Sequence, residues 1–423
     1  MEKIRKFGQI SNQLTRRSRM SRLMRIALFP SIAIFVSGLM GSPAAQAETY
    51  TFSTLHSFNY NDGANTQAGL VQGANGELYG TTLVGGANAG HEDADGTVFE
   101  ITTAGKLTTL HSFSGPDGDA STAPLVKASN GNFYGTTPEG GTGTGCGSLG
   151  CGTVFEITPS GKLTTLHSFD GPDGSYPYAG LVQGTNGALY GTTFSGGRYG
   201  VGTIFEISLS GKLTTLHSFN GNDDGMDGAL TYSALVQGAN GNFYGTAYAG
   251  GHYGMGAVFE VTPSGTLTIL HSFDNSDGAY PRAGLVKGSN GDFYGTTNMG
   301  GFYNGGNNGS GTVFEMTRTG ALTTLHVFGG TGDGAYPYAT LVQASNGYLY
   351  GTTYEGGDYN NGTIFEVTPD DLLLILVSFD ISKGDGGWPY SPLVIDSNGN
   401  LYGTTSGGGA YSAGTVFSLT GEK

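Results

Sequence analysis

Four three-residue steps, Tyr176-Pro177-Tyr178, Tyr280-Pro281-Arg282, Tyr336-Pro337-Tyr338 and Trp388-Pro389-Tyr390, each begin two residues after an Asp-Gly pair. Aromatic faces beside carboxylates suit sugar rings, whose CH faces stack and whose hydroxyls need acceptors. Tyr176, Tyr178, Tyr280, Tyr336, Tyr338, Trp388 and Tyr390 are therefore the residues expected to meet a glycan, if the protein binds one. A residue that recurs once per repeat also packs one repeat against the next. Trp388 is the only Trp of the chain, so a purely repetitive role explains it least.

Three other groupings could do chemistry. Asn220, Asn222 and Asp224 precede Gly225 at the alternate spacing of hard oxygen ligands that Ca²⁺ requires. The same Asp-Gly is also an ordinary turn dipeptide, and no Glu follows at the EF-hand distance, so calcium is the only cofactor the chain suggests and a plain turn is its alternative. Six histidines, His56, His111, His167, His217, His271 and His326, hold one repeat position that Val377 takes in the seventh copy; spread over separate repeats they cannot converge on one ion, which makes them structural. Cys146 and Cys151 lie five positions apart, and in an exported protein such a pair is expected to form a local disulfide. Gly145 to Gly150 spells a G-x-G-x-x-G, but it opens no helix. No nucleophile elbow, zinc-protease motif or phosphate loop occurs, so no catalytic residue is nominated. If there is an enzyme here, it acts on a polysaccharide through paired carboxylates such as Glu139, Glu355 and Asp358.

The elements that position these residues repeat seven times. Asn-Gly pairs recur from Asn75-Gly76 to Asn398-Gly399, each between an apolar dipeptide and a [LF]-Y-G-T-[TA] segment. The tyrosines of those segments are 50 to 56 residues apart. Asn-Gly predicts a type I′ hairpin with positive φ at both residues. Each unit reads as four short strands: A (LVQ), B (LYGTT), C (TVFEI) and D (LTTLHSF). Four strands per repeat of this length predict an all-β, seven-bladed β-propeller. Residues 50–58 are a lone D, and residues 415–419 are a C with no D after it. The fragments complete one blade, so the N-terminal strand should close the ring, and D strands should lie outermost with each histidine on the side of its Leu and Phe. Tight A-to-B and C-to-D turns share one face, and the longer D-to-A and B-to-C loops share the other, where sites usually lie.

The tandem L-V-x-[GA]-x-[ND]-G-x-[LF]-Y-G-T-T, G-T-[VI]-F-E and L-H-S-F segments resemble the GloVer tandem repeat family of exported bacterial proteins over residues 50 to 420, and the strand order is similar to propellers of the NHL type. The resemblance implies a propeller and export, and no particular activity. Members of that family often carry C-terminal anchoring signals; Thr420-Gly421-Glu422-Lys423 shows none.

Residues 1–47 carry eight Lys and Arg, an apolar run from Ile26 to Met40 and Ala45-Gln46-Ala47, the order of a signal peptide cleaved near Ala47. That leaves residues 48–423 as one domain, secreted or periplasmic, with no membrane span. Without the leader, 10 Lys and Arg face 32 Asp and Glu, a net charge of −22 that repels phosphate backbones, so nucleic acid is not a partner. The expectation is an exported, monomeric, non-catalytic binding module of the cell envelope, with a glycan or another envelope protein as partner.

Overall fold

The structure, a computed structural model, describes residues 50–87, 95–221, 227–303, 307–329 and 332–421. The expected signal peptide, and Asn222 and Asp224 of the expected calcium loop, lie outside the described residues. Seven four-stranded antiparallel sheets follow one another along the chain. Blade 1 shows the pattern: A is Val71–Gln72, B is Leu78–Thr82, C is Thr97–Ile101 and D is Leu107–Ser112. In blade 7 the strand Tyr50–Ser57 takes the D position beside Thr415–Gly421, over seven registered pairs from Tyr50 with Gly421 to Ser57 with Thr415. The ring is closed as the two terminal fragments require.

Local chemistry explains the strands. B is buried along its length, save the half-buried Tyr294 of blade 5, because it lies between A and C in the middle of each blade. Its glycine is a packing requirement: a Cβ on Gly191 would come within 2.6 Å of Phe205 Cζ and 2.8 Å of Leu181 Cδ2, so the Phe of strand C lies across the space a side chain would need. Gly191→Ala should therefore overpack blade 3 and cost about 1–3 kcal/mol, visible as a lower midpoint in urea unfolding. An unchanged midpoint would show that the Phe205 ring can yield.

Within a blade, the last Thr of B and the first Thr of C share a buried hydroxyl pair, as in Thr193 and Thr203 at 2.9 Å. In blade 4 those positions are Ala247 and Ala257, directly paired across the two strands. Both hydroxyls are lost together, which leaves no orphaned polar atom and so little penalty.

The Asn-Gly turns differ from the expected geometry. Only the glycine of each pair has positive φ, for example 85° at Gly76. The Gly73 carbonyl accepts from the Gly76 amide, and the Gly73 amide donates to the Glu77 carbonyl, which defines a three-residue hairpin loop ending in a left-handed glycine. The asparagine is used through its side chain instead: Asn75 Nδ2 donates to Glu100 and to the Tyr79 hydroxyl, which donates to Glu100 at 2.6 Å.

Two sets of bonds join neighbouring blades. The first of the two strand-B threonines donates across to the next blade, as Thr136 does to the Ala179 carbonyl and Thr404 to the Ala68 carbonyl across the ring closure. In addition, each D-to-A loop turns a corner at a non-glycine residue with φ of 54–58°: Asn65, Ala120, Tyr176, Leu230, Tyr280, Tyr336 or Trp388. Each corner N–H donates to a B-to-C loop carbonyl of the preceding blade, as Tyr176 does to Cys151 and Asn65 does to Ala413. The left-handed backbone, disfavoured for these residues, aims the amide at the neighbour.

Candidate functional site at the mouth of the central channel

The residues just before all seven strands A meet around one cavity of about 300 Å³, which identifies A as the innermost strand. One residue per blade, always three positions before the leucine of strand A, faces that cavity: Gln67, Thr122, Tyr178, Tyr232, Arg282, Tyr338 and Tyr390. Tyr178, Tyr338 and Tyr390 of the expected ligand residues are brought together there. Tyr176, Tyr280, Tyr336 and Trp388 are not; they hold the left-handed corners, and Trp388 lies over Gly407, whose Cβ would sit 2.8 Å from its ring. The first aromatic of each step thus serves the blade junction and the third serves the cavity.

Two cavity residues escape the aromatic-Pro pattern. Tyr232 follows Thr231 instead of a proline, and Arg282 ends its step on a cation instead of an aromatic residue. Counting back from the strand-A leucine, rather than searching for proline, finds both.

Arg282 is the single charged side chain among the cavity residues. Its guanidinium lies 4.4 Å from the Tyr232 ring centre, 5.0 Å from that of Tyr338 and 5.5 Å from that of Tyr248, and Nη1 donates to the Tyr390 hydroxyl. Burial works to lower its pKa, but the surrounding tyrosines outweigh it and hold the group firmly cationic. Tyr390 is stacked on Tyr338, centroids 4.6 Å apart and planes 13° apart. Burial pushes the Tyr390 hydroxyl up to about 12 despite the nearby Arg282 cation, so it stays protonated at neutral pH. Arg282 Nε and Thr122 Oγ1 are buried with no hydrogen-bond partner.

The carboxylates go elsewhere. Glu139 and Glu355 lie one step out, their charges raising the pKa of Tyr178 and Tyr338 behind the larger effect of burial. Asp358 lines a shallow outer depression with Tyr359 and Lys383. Among the described residues no group of three or more His, Cys, Asp and Glu could hold a metal. Asp173 and Asp277, in reduced versions of the calcium motif, place Oδ2 on His167 and His271 and accept at Oδ1 from the amides of Asp170 and Asp274. The amide of Asn220, the described member of the calcium triplet, donates to Asp227.

These contacts give the histidines their role. In six blades the strand-D His Nε2 sits 2.6–3.2 Å from a D-to-A loop aspartate: Asp62, Asp117, Asp173, Asp227, Asp277 or Asp333. In blade 3 the partner is Asp227, 10 positions after its His, where the other clasps span 6 or 7. A β-bulge at the Leu before each His, such as Leu110, breaks the alternation. His111 consequently shares a face with Phe113, its ring edge-on at 5.3 Å, but not with Leu107 as simple alternation expects. Where Val377 replaces His, Asp380 instead caps a short 3₁₀ turn, Ile381–Lys383.

The clasp makes stability pH-dependent. Burial raises the Asp62 and Asp173 pKa values, but bonds from His and the loop amide outweigh it and hold them below the ordinary 3.8. A depressed aspartate stabilises the fold above its unfolded pKa and loses that contribution as pH falls through the folded value. Melting temperature should therefore drop steeply below pH 3.8, and Asp62→Asn with Asp173→Asn should flatten that slope while lowering the melting point at pH 6. Parallel acid profiles for variant and parent would remove the clasp from the account.

Cys146 and Cys151 are joined by a disulfide across the B-to-C loop of blade 2.

Fold and site together define a seven-bladed propeller with an aromatic, singly cationic pocket at one channel mouth. The chain belongs to the Gloeobacter/Verrucomicrobia repeat family, whose model matches residues 44–149, 144–306 and 300–423. No curated protein matches the sequence. Among solved structures, an extracellular domain classed as the hybrid two component system BT3049 of B. thetaiotaomicron is 14% identical, with a TM-score of 0.55 over 87% of this chain and 41% of that one. The corresponding domain of BT4673 is 11% identical, with a TM-score of 0.56 over 86% and 39%. The chain thus spans about two fifths of each of those domains. The periplasmic gluconolactonase PpgL of Pseudomonas aeruginosa is 15% identical, with a TM-score of 0.51 over 82% of this chain and 99% of that one. At these identities the likeness is one of fold.

Proposed function

We propose that the protein is an exported, non-catalytic binding module that takes a carbohydrate at the long-loop mouth of the channel. The observation that carries this reading is the crescent of Tyr178, Tyr232, Tyr338 and Tyr390 around a cavity of about 300 Å³. Stacked tyrosines offer flat apolar walls with hydroxyls at their edges, the surface a sugar ring complements. Glycoside hydrolysis needs two carboxyl groups flanking the bond. No described cavity-lining residue is an Asp or Glu, and Glu139, Glu355 and Asp358 do not meet there, which argues against the polysaccharide-cleaving alternative.

Export is supported by the basic and apolar leader ending near Ala47 and by the disulfide, a bond that persists in oxidising compartments. No helix among the described residues is long and apolar enough to cross a membrane. In this reading the protein works as a single-domain monomer in the envelope, meeting a glycan chain directly. A glycan array probed with the purified protein tests it: selective capture of a saccharide family is expected. A blank array, with capture only of another envelope protein, would sink the carbohydrate reading.

A further inference from the structure

We propose that the saccharide taken by the cavity carries a carboxylate, and that Arg282 is the group that pairs with it; the proposal rests on the carbohydrate reading above. Arg282 takes part in none of the seven ion pairs among the described residues, six of which join His to Asp and one Lys383 to Asp380. A partly buried cation with only neutral neighbours is costly unless something pairs it. Here the neighbours are the π-faces of Tyr248 and Tyr338, the ring and hydrogen-bonding hydroxyl of Tyr232, and the hydroxyl of Tyr390, which orient the guanidinium without neutralising it. A chain with a net charge of −22 outside its leader has placed a lone cation where no carboxylate of its own lines the cavity.

The guanidinium on the cavity wall, without a carboxylate partner, sets the ligand chemistry. Nη1 is taken by Tyr390, whereas Nε is buried with no partner. An Arg fork pairs best with a planar carboxylate or another oxyanion through parallel N–H···O bonds. Thr122, on the same cavity wall, keeps its Oγ1 buried without a partner. One cation matches one negative charge. A phosphate monoester, at about −1.5 to −2, would bring excess charge into an acidic protein. The size of the cavity, about 300 Å³, is at the low end for small-ligand sites and suits a single sugar ring. Screening over about 8 Å at physiological salt mutes the distant carboxylates more than the contact with Arg282. These features point to a uronic acid residue, alone or at a chain end.

The test is calorimetric titration of the purified protein with a galacturonate or glucuronate oligosaccharide, its neutral hexose counterpart and a sulfated counterpart. The acid should bind at least about tenfold more tightly than the neutral sugar, the scale of one charge-assisted hydrogen bond. Arg282→Gln should erase that preference while weak binding of the neutral sugar survives; Arg282→Lys should restore part of it. Equal binding of acid and neutral sugar, or a preference that persists in a folded Arg282→Gln variant, overturns the proposal and leaves the carbohydrate reading standing. Preference for the sulfated sugar over the carboxylate overturns the choice of acid. Binding of none of the three overturns both readings. If Arg282→Gln does not fold, the comparison of acid with neutral sugar on the unaltered protein decides.

Discussion

Deletion of residues 50–58 should abolish cooperative unfolding or lower the melting temperature by about 5 °C or more, a domain of this length shifting by less than the ~2–4 °C per kcal/mol of one with 150–250 residues. The strand Tyr50–Ser57 supplies the whole outer ladder of blade 7, so its loss exposes the edge of Thr415–Gly421 to water and to other chains. Two aromatic anchors go with it. Phe52 packs 5.4 Å from Phe417 and 5.7 Å from Phe379, tying blade 7 to blade 6. Phe58 is fully buried and meets Phe99 of blade 1 at 5.3 Å. Phe58→Ala alone should cost about 3–5 kcal/mol, a fifth or more of the ~5–15 kcal/mol typical of a whole domain. Calorimetry on the truncated and full chains decides; superimposable melts would mean that blade 7 is stable with three strands.

The second large effect is on binding. Tyr390→Ala should weaken the saccharide found on the array about 10- to 100-fold, equivalent to ~1–3 kcal/mol. Tyr390 does two things at once: its ring forms one side of the stacked wall with Tyr338, and its hydroxyl accepts from Arg282. Trp388→Ala, two residues away, should change affinity less than about twofold while lowering stability, because Trp388 belongs to the corner that bonds to Asn361 and covers Gly407. Surface plasmon resonance on both variants separates the roles. Should Trp388→Ala lose binding and Tyr390→Ala keep it, the ligand sits outside the channel mouth.

Much of the fold was legible because the repeat states its own rules. Strand number, blade number, ring closure and the division of short turns from long loops all follow from periodicity and from the two terminal fragments. The errors share one cause, backbone irregularity. Asn-Gly is compatible with two hairpin geometries, and the choice between them rests on whether Asn or only Gly takes positive φ. The bulge at Leu110 shifts His111 to the face opposite Leu107, and no composition signal marks it. At the site, Tyr178, Tyr338 and Tyr390 were readable as aromatic, but their separation from Tyr176, Tyr336 and Trp388 depends on a left-handed corner that L-residues rarely adopt and that a sequence does not advertise. Arg282 was hidden by its motif, since a lone cation among tyrosines becomes informative only when the ring places four aromatic residues around it.

The blade that closes the ring joins Tyr50 to Gly421, partners separated by nearly the whole propeller. Contacts so distant in sequence form late, after the intervening loop entropy has been overcome. During synthesis, the earliest-made of these strands must therefore wait for the last. A chain cut short before Thr415 has no partner to offer Tyr50–Ser57, and retains an open edge and an incomplete seventh wall however well its first six blades have formed. Closure thus works as a test of completeness: only a chain that reaches Thr415–Gly421 can pair the strand Tyr50–Ser57 and complete the seventh blade.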